Sequence, residues 1–329
     1  MSMLMNKRVI ITFFIILLAL LFPIIMPNSY YLYIMALSFI WIIAVYGLNI
    51  VAGYTGYLSL AHAGFFAIGA YAFGLLTTKT EIGFWPAFIL APIITTAIGT
   101  LIGLVSLRTK EHFFAIYTLC VGYIIYLVID KWESLTGGVR GLIGIPALPD
   151  LGPISLSTPT SQYYFVLFIM FGMVFIAYRL VHSLVGRTLI AIRNSETLAL
   201  SLGISTTKNK LLSFMLSTFY AGVAGTLYAS FIRFLGPEIS STTIMFDLLT
   251  YLIVGGIGTL SGPIIGTLLI VWTSQTLQFL QDYRMLIFGP LLTLIIIYSP
   301  RGIVGFISGL FRNRKAGKKV AAVQVEKQV

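Results

Sequence analysis

Apolar runs long enough to cross a bilayer recur along almost the whole chain. A crossing helix needs about 20 predominantly apolar residues. On that scale the pattern predicts spans at 9–27, 31–51, 62–78, 85–107, 113–129, 163–181 and 211–231. Further apolar stretches follow at 244–281 and 285–300. The stretch 244–281 is too long for one crossing, and Gly255-Gly256-Ile257-Gly258 and Gly262-Pro263 punctuate it. Glycine and proline interrupt helices, so it divides into 244–258 and 263–280, the first short enough to be re-entrant. Lys7 and Arg8 precede the first run as they would a secretory signal, but the run exceeds the roughly 7–15 residues of a signal core. Pro27-Asn28-Ser29-Tyr30 is also no small-residue cleavage site, so 9–27 is read as a retained span. The expectation is an all-α, polytopic helical membrane protein of about ten transmembrane spans.

Composition narrows the class. Of 329 residues, 58% are apolar and 9% charged, with a mean hydropathy of +0.97. Soluble domains carry roughly 25% charged residues, so a soluble enzyme is excluded, as is a disordered chain. An outer-membrane barrel would alternate apolar and polar residues. Helices are the remaining way to satisfy the backbone inside lipid.

The net charge of +11 would suggest nucleic acid in a soluble domain; here its placement matters more. Basic residues concentrate on inner loops of membrane proteins. With the N-terminus inside, 16 of the 21 fall on inner segments, and Lys79, Lys131, Arg140, Arg233 and Arg284 fall outside. A single crossing at 244–281 would place the basic C-terminal tail outside, so the charge bias supports the split. The organisation that follows is a transmembrane domain over 1–311 and a basic cytoplasmic tail over 312–329, suited to anionic lipid. Two hydrophilic segments stand out, an extracytoplasmic loop at 130–162 and a cytoplasmic loop at 182–210.

The span centres are nearly free of Asp, Glu, Lys and Arg, the groups that ion-coupled carriers keep at depth. His62 is the main titratable group there, either a hydrogen-bonded packing histidine or a functional one. The chain has no GxxxxGK[ST] and no HExxH. Cys120 is the sole cysteine, so no intrachain disulfide or cysteine metal cluster is expected. Together these absences argue against an enzyme.

Glycines dominate the turn Gly53-Tyr54-Thr55-Gly56-Tyr57-Leu58-Ser59-Leu60-Ala61-His62-Ala63-Gly64, with Gly69 and Gly74 beyond it. They serve either close helix packing or an interrupted helix whose freed backbone lines a polar cavity. Gly258-Thr259-Leu260-Ser261 shares G-x-L-S with Gly56-Tyr57-Leu58-Ser59, on the same predicted side. Transporters often pair interrupted segments, although four matched residues do not establish a repeat.

In the inner loop, Val185 to Asn194 reads as a short amphipathic helix. Asn194 or Ser195 can cap a second helix, with Glu196 in its first turn and Gly203 ending it. Leu198, Leu202 and, less regularly, Ala199 form one apolar face. That face suits either a partner's groove or the membrane surface.

Several of these runs resemble LivM-type permeases, members of the ABC importers for branched-chain amino acids. They begin with Tyr46-Gly47-Leu48-Asn49 and continue from Gly53 through Gly64 into Phe65-Phe66-Ala67-Ile68-Gly69-Ala70-Tyr71. Phe113-Phe114-Ala115-Ile116-Tyr117-Thr118-Leu119, Leu135-Thr136-Gly137-Gly138 and Gly144-Ile145-Pro146 fit, as does Gly186-Arg187-Thr188-Leu189-Ile190-Ala191-Ile192-Arg193 with Leu202-Gly203-Ile204. Gly255 through Pro263 and Ser299-Pro300-Arg301-Gly302 complete the likeness, which departs at Tyr57, where the family often has Gln.

The resemblance implies a pseudo-symmetric permease pair with a LivH-like sister, two cytoplasmic ATP-binding subunits and an extracytoplasmic solute-binding protein. No cofactor belongs to this chain; ATP and Mg would be bound by the ATPase subunits. It implies a bacterial or archaeal plasma membrane with both termini cytoplasmic. Asn49, Gly53, Gly56, Ser59, His62 and Tyr117 become candidates for the translocation pathway. Gly186, Arg187, Ile192, Arg193, Glu196 and Gly203 become candidates for ATPase coupling. Lys131, Arg140 and Arg233 become candidates for binding-protein docking, or else are solvated loop charges. Urea and short-amide permeases share much of the pattern. A self-contained secondary carrier or a non-transporting scaffold are the readings from other classes.

Overall fold

Each predicted span that falls within the described residues is helical. The computed structural model describes residues 16–80, 82–109, 111–150, 155–276, 290 and 302–305. The start of the first span with Lys7 and Arg8, Glu81, Lys110, Pro153, Asp282, Arg284, Arg301, most of the span at 285–300 and the tail at 312–329 lie outside them.

The described helices are α1 (Ile16–Ile25), α2 (Ser29–Leu48), α3 (His62–Lys79), α4 (Phe84–Ser106) and α5 (Glu111–Lys131). A short α6 (Glu133–Thr136) precedes α7 (Pro159–His182). Then come α8 (Leu184–Asn194), α9 (Glu196–Ser201) and α10 (Thr206–Ile232). The last two are α11 (Thr242–Gly255) and α12 (Gly262–Thr276). Five helices are long and apolar enough to cross a membrane, at Ser29–Tyr54, Phe84–Ser106, His112–Lys131, Pro159–His182 and Thr206–Ile232. This is a helical polytopic membrane protein.

α2 and α10 bury most of their surface, whereas α4, α5 and α7 leave apolar flanks open, as helices bordering lipid do. The centre is the packing of α10 against α2, α3 and α4. At the α3–α10 crossing the backbones nearly touch. A Cβ on Gly225 would lie 2.0 Å from the Phe66 carbonyl oxygen, and one on Gly69 would lie 2.6 Å from Gly222 Cα. Helices in lipid associate through such close contacts of small residues, and bulky side chains there would hold them apart.

The ends of the helices gather at two opposite faces. One face carries a two-stranded antiparallel ribbon, β1 (Leu142–Ile143) with β2 (Phe234–Leu235), paired Leu142 to Leu235 and Ile143 to Phe234. The Tyr71 hydroxyl donates to the Leu235 carbonyl at 3.0 Å and pins the ribbon to α3. Much of the hydrophilic stretch predicted at 130–162 is ordered: Thr136 donates to the Ile129 and Trp132 carbonyls, and α7 starts at Pro159 behind the capping Thr158. The other face holds the turn after residue 54, the α8–α9 elbow and the loop between α11 and α12.

The division of 244–281 is resolved within the described residues. α11 starts beside the ribbon face, ends at Gly255, and α12 begins at Gly262 on the turn face. α12 then runs back, because Trp272 stacks on Tyr31 at the start of α2 with ring centroids 6.0 Å apart. With 14 residues, α11 is about 21 Å long, shorter than a hydrocarbon core of about 30 Å.

Substituting Gly225→Val should overpack the α3–α10 crossing at a cost of about 1–3 kcal/mol. A Cβ at Gly172 meets nothing within 4 Å, so Gly172→Ala serves as the control. Thermal unfolding of the purified protein in detergent should show a clear drop in midpoint for the first and almost none for the second.

Candidate functional site

α2 does not end cleanly. After Leu48 the backbone widens into a π-helical turn, Asn49–Tyr54, and then leaves helix altogether until His62. π-turns interrupt the regular hydrogen-bond ladder and recur at functional sites. The groups released here are satisfied partly within the turn and partly by residues from distant parts of the chain. Thr55 Oγ1 donates to the Ile50 carbonyl at 3.0 Å and lies 2.6 Å from Ser213 Oγ on α10. The Tyr57 amide donates to the Val51 carbonyl at 3.1 Å, and the Leu60 amide donates to Thr118 Oγ1 on α5 at 3.0 Å.

The loop between α11 and α12 lies directly against this turn. Asn49 bridges them, with Nδ2 donating to the Thr259 carbonyl at 2.9 Å and Oδ1 accepting from the Gly258 amide at 2.8 Å. The Tyr46 hydroxyl donates to the Leu260 carbonyl. Gly56 and Gly258 both adopt positive φ, +85° and +73°, a region glycine enters without steric cost.

Arg193 at the end of α8 fits between the two turns. Its Nη1 donates to the Gly53 carbonyl. A Cβ on Gly56 would meet its Cγ at 3.1 Å, and one on Gly258 would meet Nη1 at 2.5 Å. The expected coupling set thus separates in space. Gly186, Leu189 and Ile192 form the buried side of α8, with Gly186 in the tight corner after α7. Arg187 and Arg193 are both exposed, but only Arg193 turns its guanidinium back onto the Gly53 carbonyl. Ser195 caps α9 by accepting from the Leu198 amide, and Gly203, at φ +80°, closes it. Ala199 turns inward, while Leu198 and Leu202 are 61% and 72% exposed beyond the membrane helices.

Glu196 faces the body of the protein. Its Oε2 accepts from the Tyr57 hydroxyl at 2.7 Å, and its Oε1 pairs with Lys210 Nζ. Burial pushes the Glu196 carboxyl up. Hydrogen bonds from Lys210 and Tyr57, the Lys210 charge and a Thr206 hydrogen bond outweigh it and hold the carboxyl below its ordinary value. Sequence reasoning had no place for Lys210 or for Tyr57 as a partner. The available signal was a lysine set directly against the apolar run at 211.

Among the pathway candidates, Asn49 and His62 are buried and use their polar atoms on the fold. His62 Nε2 sits 2.8 Å from the Ala44 carbonyl, and Nδ1 sits 3.3 Å from Ser217 Oγ. Gly53 and Gly56 border Arg193. Ser59 is 1% exposed and its Oγ has no hydrogen-bond partner among the described residues. Tyr117 lies half-buried on α5. Lys131, Arg140 and Arg233 are all exposed on the ribbon face, Lys131 paired with Asp130 at 2.9 Å. The described residues contain no cluster of three or more His, Cys, Asp or Glu able to hold a metal.

Comparison with known proteins places these elements in context. Residues 30–296 match the family model for the permease component of branched-chain amino acid transport systems. The chain is similar to the high-affinity branched-chain amino acid transport system permease protein LivM of Salmonella typhimurium, 32% identical over 82% of this chain and 69% of that one. It is 31% identical to LivM of Escherichia coli over the same shares. The LivH permease of Salmonella typhimurium is 27% identical over 79% of this chain and 89% of its own. No solved structure matches the chain.

Two outcomes follow from this geometry. Arg193→Ala removes a charged donor from the Gly53 carbonyl and should cost about 1 kcal/mol. Exposed Arg187→Ala should stay within about 0.5 kcal/mol, and unfolding midpoints in detergent compare the two. The folded Glu196 carboxyl titrates below its unfolded value, so its stabilisation is complete above the ordinary carboxylate range, about pH 4. That stabilisation is lost as pH falls through the lower folded value. The midpoint should therefore hold steady near neutrality and fall in acid, and Glu196→Gln should flatten that part of the fall.

Proposed function

This chain belongs to the branched-chain amino acid transport system permease family, and from that premise we propose that it is the LivM-type permease subunit of an ABC importer. It pairs with a LivH-like permease, receives leucine, isoleucine or valine from an extracytoplasmic solute-binding protein, and is driven by two cytoplasmic ATP-binding subunits. The names of its relatives support the substrate class and the permease pair.

The observation that carries this reading is the α8–α9 elbow. It presents Leu198, Leu200 and Leu202 to solvent on a short helix that buries only Ala199, while Arg193 and Glu196 tie the elbow to the glycine turns and to α10. An exposed leucine pair four residues apart is the pattern a helix lays into an apolar groove. The turn face is therefore cytoplasmic and the ribbon face, with Lys131, Arg140 and Arg233, meets the binding protein.

The chain has no phosphate-binding loop of its own. A membrane interior poor in ionisable groups also leaves a proton or sodium gradient little to act on. Work must come from a partner that hydrolyses ATP and returns it as movement of the elbow. Asn49 and His62 act in this reading as supports of the turn. Ser59, buried with an unpartnered hydroxyl, and Tyr117 on the open flank of α5 are the groups left to meet substrate.

Reconstitution tests the proposal. Proteoliposomes holding both permeases and both ATPases should take up labelled leucine only with ATP and loaded binding protein, and excess unlabelled isoleucine should compete where urea does not. Uptake by this chain alone would overturn the reading. Leu198→Asp with Leu202→Asp should abolish co-purification of the ATPases without preventing membrane insertion.

A further inference from the structure

Tyr57, Glu196 and Lys210 meet from three segments that are far apart in sequence: the turn after α2, the first residue of α9 and the second turn of α10. Lys210 is 5% exposed. Its Nζ donates to Glu196 and, at 2.5 Å, to the Tyr57 hydroxyl, and it lies 4.3 Å from the centre of the Tyr57 ring. The Tyr57 hydroxyl passes its own hydrogen to Glu196 at 2.7 Å. The same ring packs edge-on against Phe114 of α5 with centroids 5.4 Å apart, and Phe114 packs against Phe214 of α10. The tyrosine is thus held on its apolar side by the membrane helices and on its polar end by α9.

A pair of this kind adds little stability over an apolar replacement, but removing one partner strands a buried charge. α9 therefore cannot withdraw Glu196 without taking the counter-charge from the buried Lys210 ammonium and the acceptor from the Tyr57 hydroxyl. It moves with them or not at all. Tyr57 is followed two residues later by Ser59 with its unpartnered hydroxyl, so a displacement at α9 reaches the interior of the protein through a few residues. We propose that Tyr57, Glu196 and Lys210 form the joint that hands displacement of α9 to the segment 55–61, which makes Tyr57 and Lys210 positioning residues for translocation. The proposal rests on the importer reading above and specifies where in this chain the coupling occurs.

The test uses the full complex in proteoliposomes and reads leucine uptake per ATP hydrolysed, with co-purification of the ATPases as a second measurement. Tyr57→Phe keeps the ring and its packing and removes only the hydroxyl. It should lower uptake per ATP at least about five-fold, the scale of ordinary coupling between sites, while the ATPases still co-purify and hydrolyse. Glu196→Lys and Lys210→Glu should each do the same, and the double exchange should recover uptake. Unchanged uptake per ATP in Tyr57→Phe overturns the proposal. Loss of the ATPases from that variant also overturns it, since the role would then be docking, and so does a double exchange no better than either single change. Absence of ATP-dependent uptake by the unaltered complex would instead defeat the importer reading, so the two failures are distinguishable.

Discussion

A backbone group released where water cannot reach it must find another partner, and that constraint governs the turn face. Two helical segments stop there, one after Tyr54 and one after Gly255. Each leaves amides and carbonyls that a soluble protein would hand to solvent. Here the two interruptions satisfy each other. Asn49 serves an amide and a carbonyl of the α11–α12 loop at once, Tyr46 serves a second carbonyl, and Arg193 serves Gly53. Thr55 and Ser213 take up the Ile50 carbonyl within the π-turn. The breaks are stable only as a pair, so anything that separates them exposes several unpaired groups together.

Much of this architecture is legible along the chain because lipid enforces a coarse rule that single residues report well. Apolar length marks the helices, and Gly255 and Gly262 mark the break in 244–281. Ser195, Glu196 and Gly203 mark a capped helix outside the membrane, and α9 follows that reading closely. What periodicity does not carry is which distant group a polar side chain finds. Arg187 and Arg193 look equivalent as charges in one basic loop. They stand six positions apart, about 240° around a helix of 3.6 residues per turn, so when Leu189 and Ile192 face inward the two arginines cannot share a side. Arg193 also sits at the helix end nearest Gly53, where its stem can lie along Gly56.

Tyr57 illustrates the second limit. It stands out in the sequence as a departure from the family pattern, and a departure invites the conclusion that the position is idle. Its role depends on Glu196 and Lys210, 139 and 153 positions away. Only the folded chain brings that carboxylate and that ammonium to one hydroxyl. Asn49 and His62 run the other way. Polar residues at depth suggest contact with a passing substrate, yet both are enclosed by backbone groups of neighbouring elements. Depth and polarity together identify a residue the fold must satisfy, and an interrupted helix supplies that demand without any ligand.

The shared G-x-L-S of residues 56–59 and 258–261 acquires meaning from the same geometry. Four letters do not make a repeat, but both glycines follow within three residues of a helix end, both take positive φ, and both border Arg193. The stretches that follow differ: α12 starts at Gly262, whereas His62 starts α3 only after a longer non-helical run. The shorter connection leans on Tyr46 and Asn49, while the longer one leans on α5, α9 and α10 through Leu60, Tyr57 and Thr55. Both turns are therefore tied to elements outside their own hairpins, but to different ones. Only the turn at 55–61 bonds to α9 directly, through Tyr57 and Glu196, so of the two it is the one that a displacement of α9 would reach first.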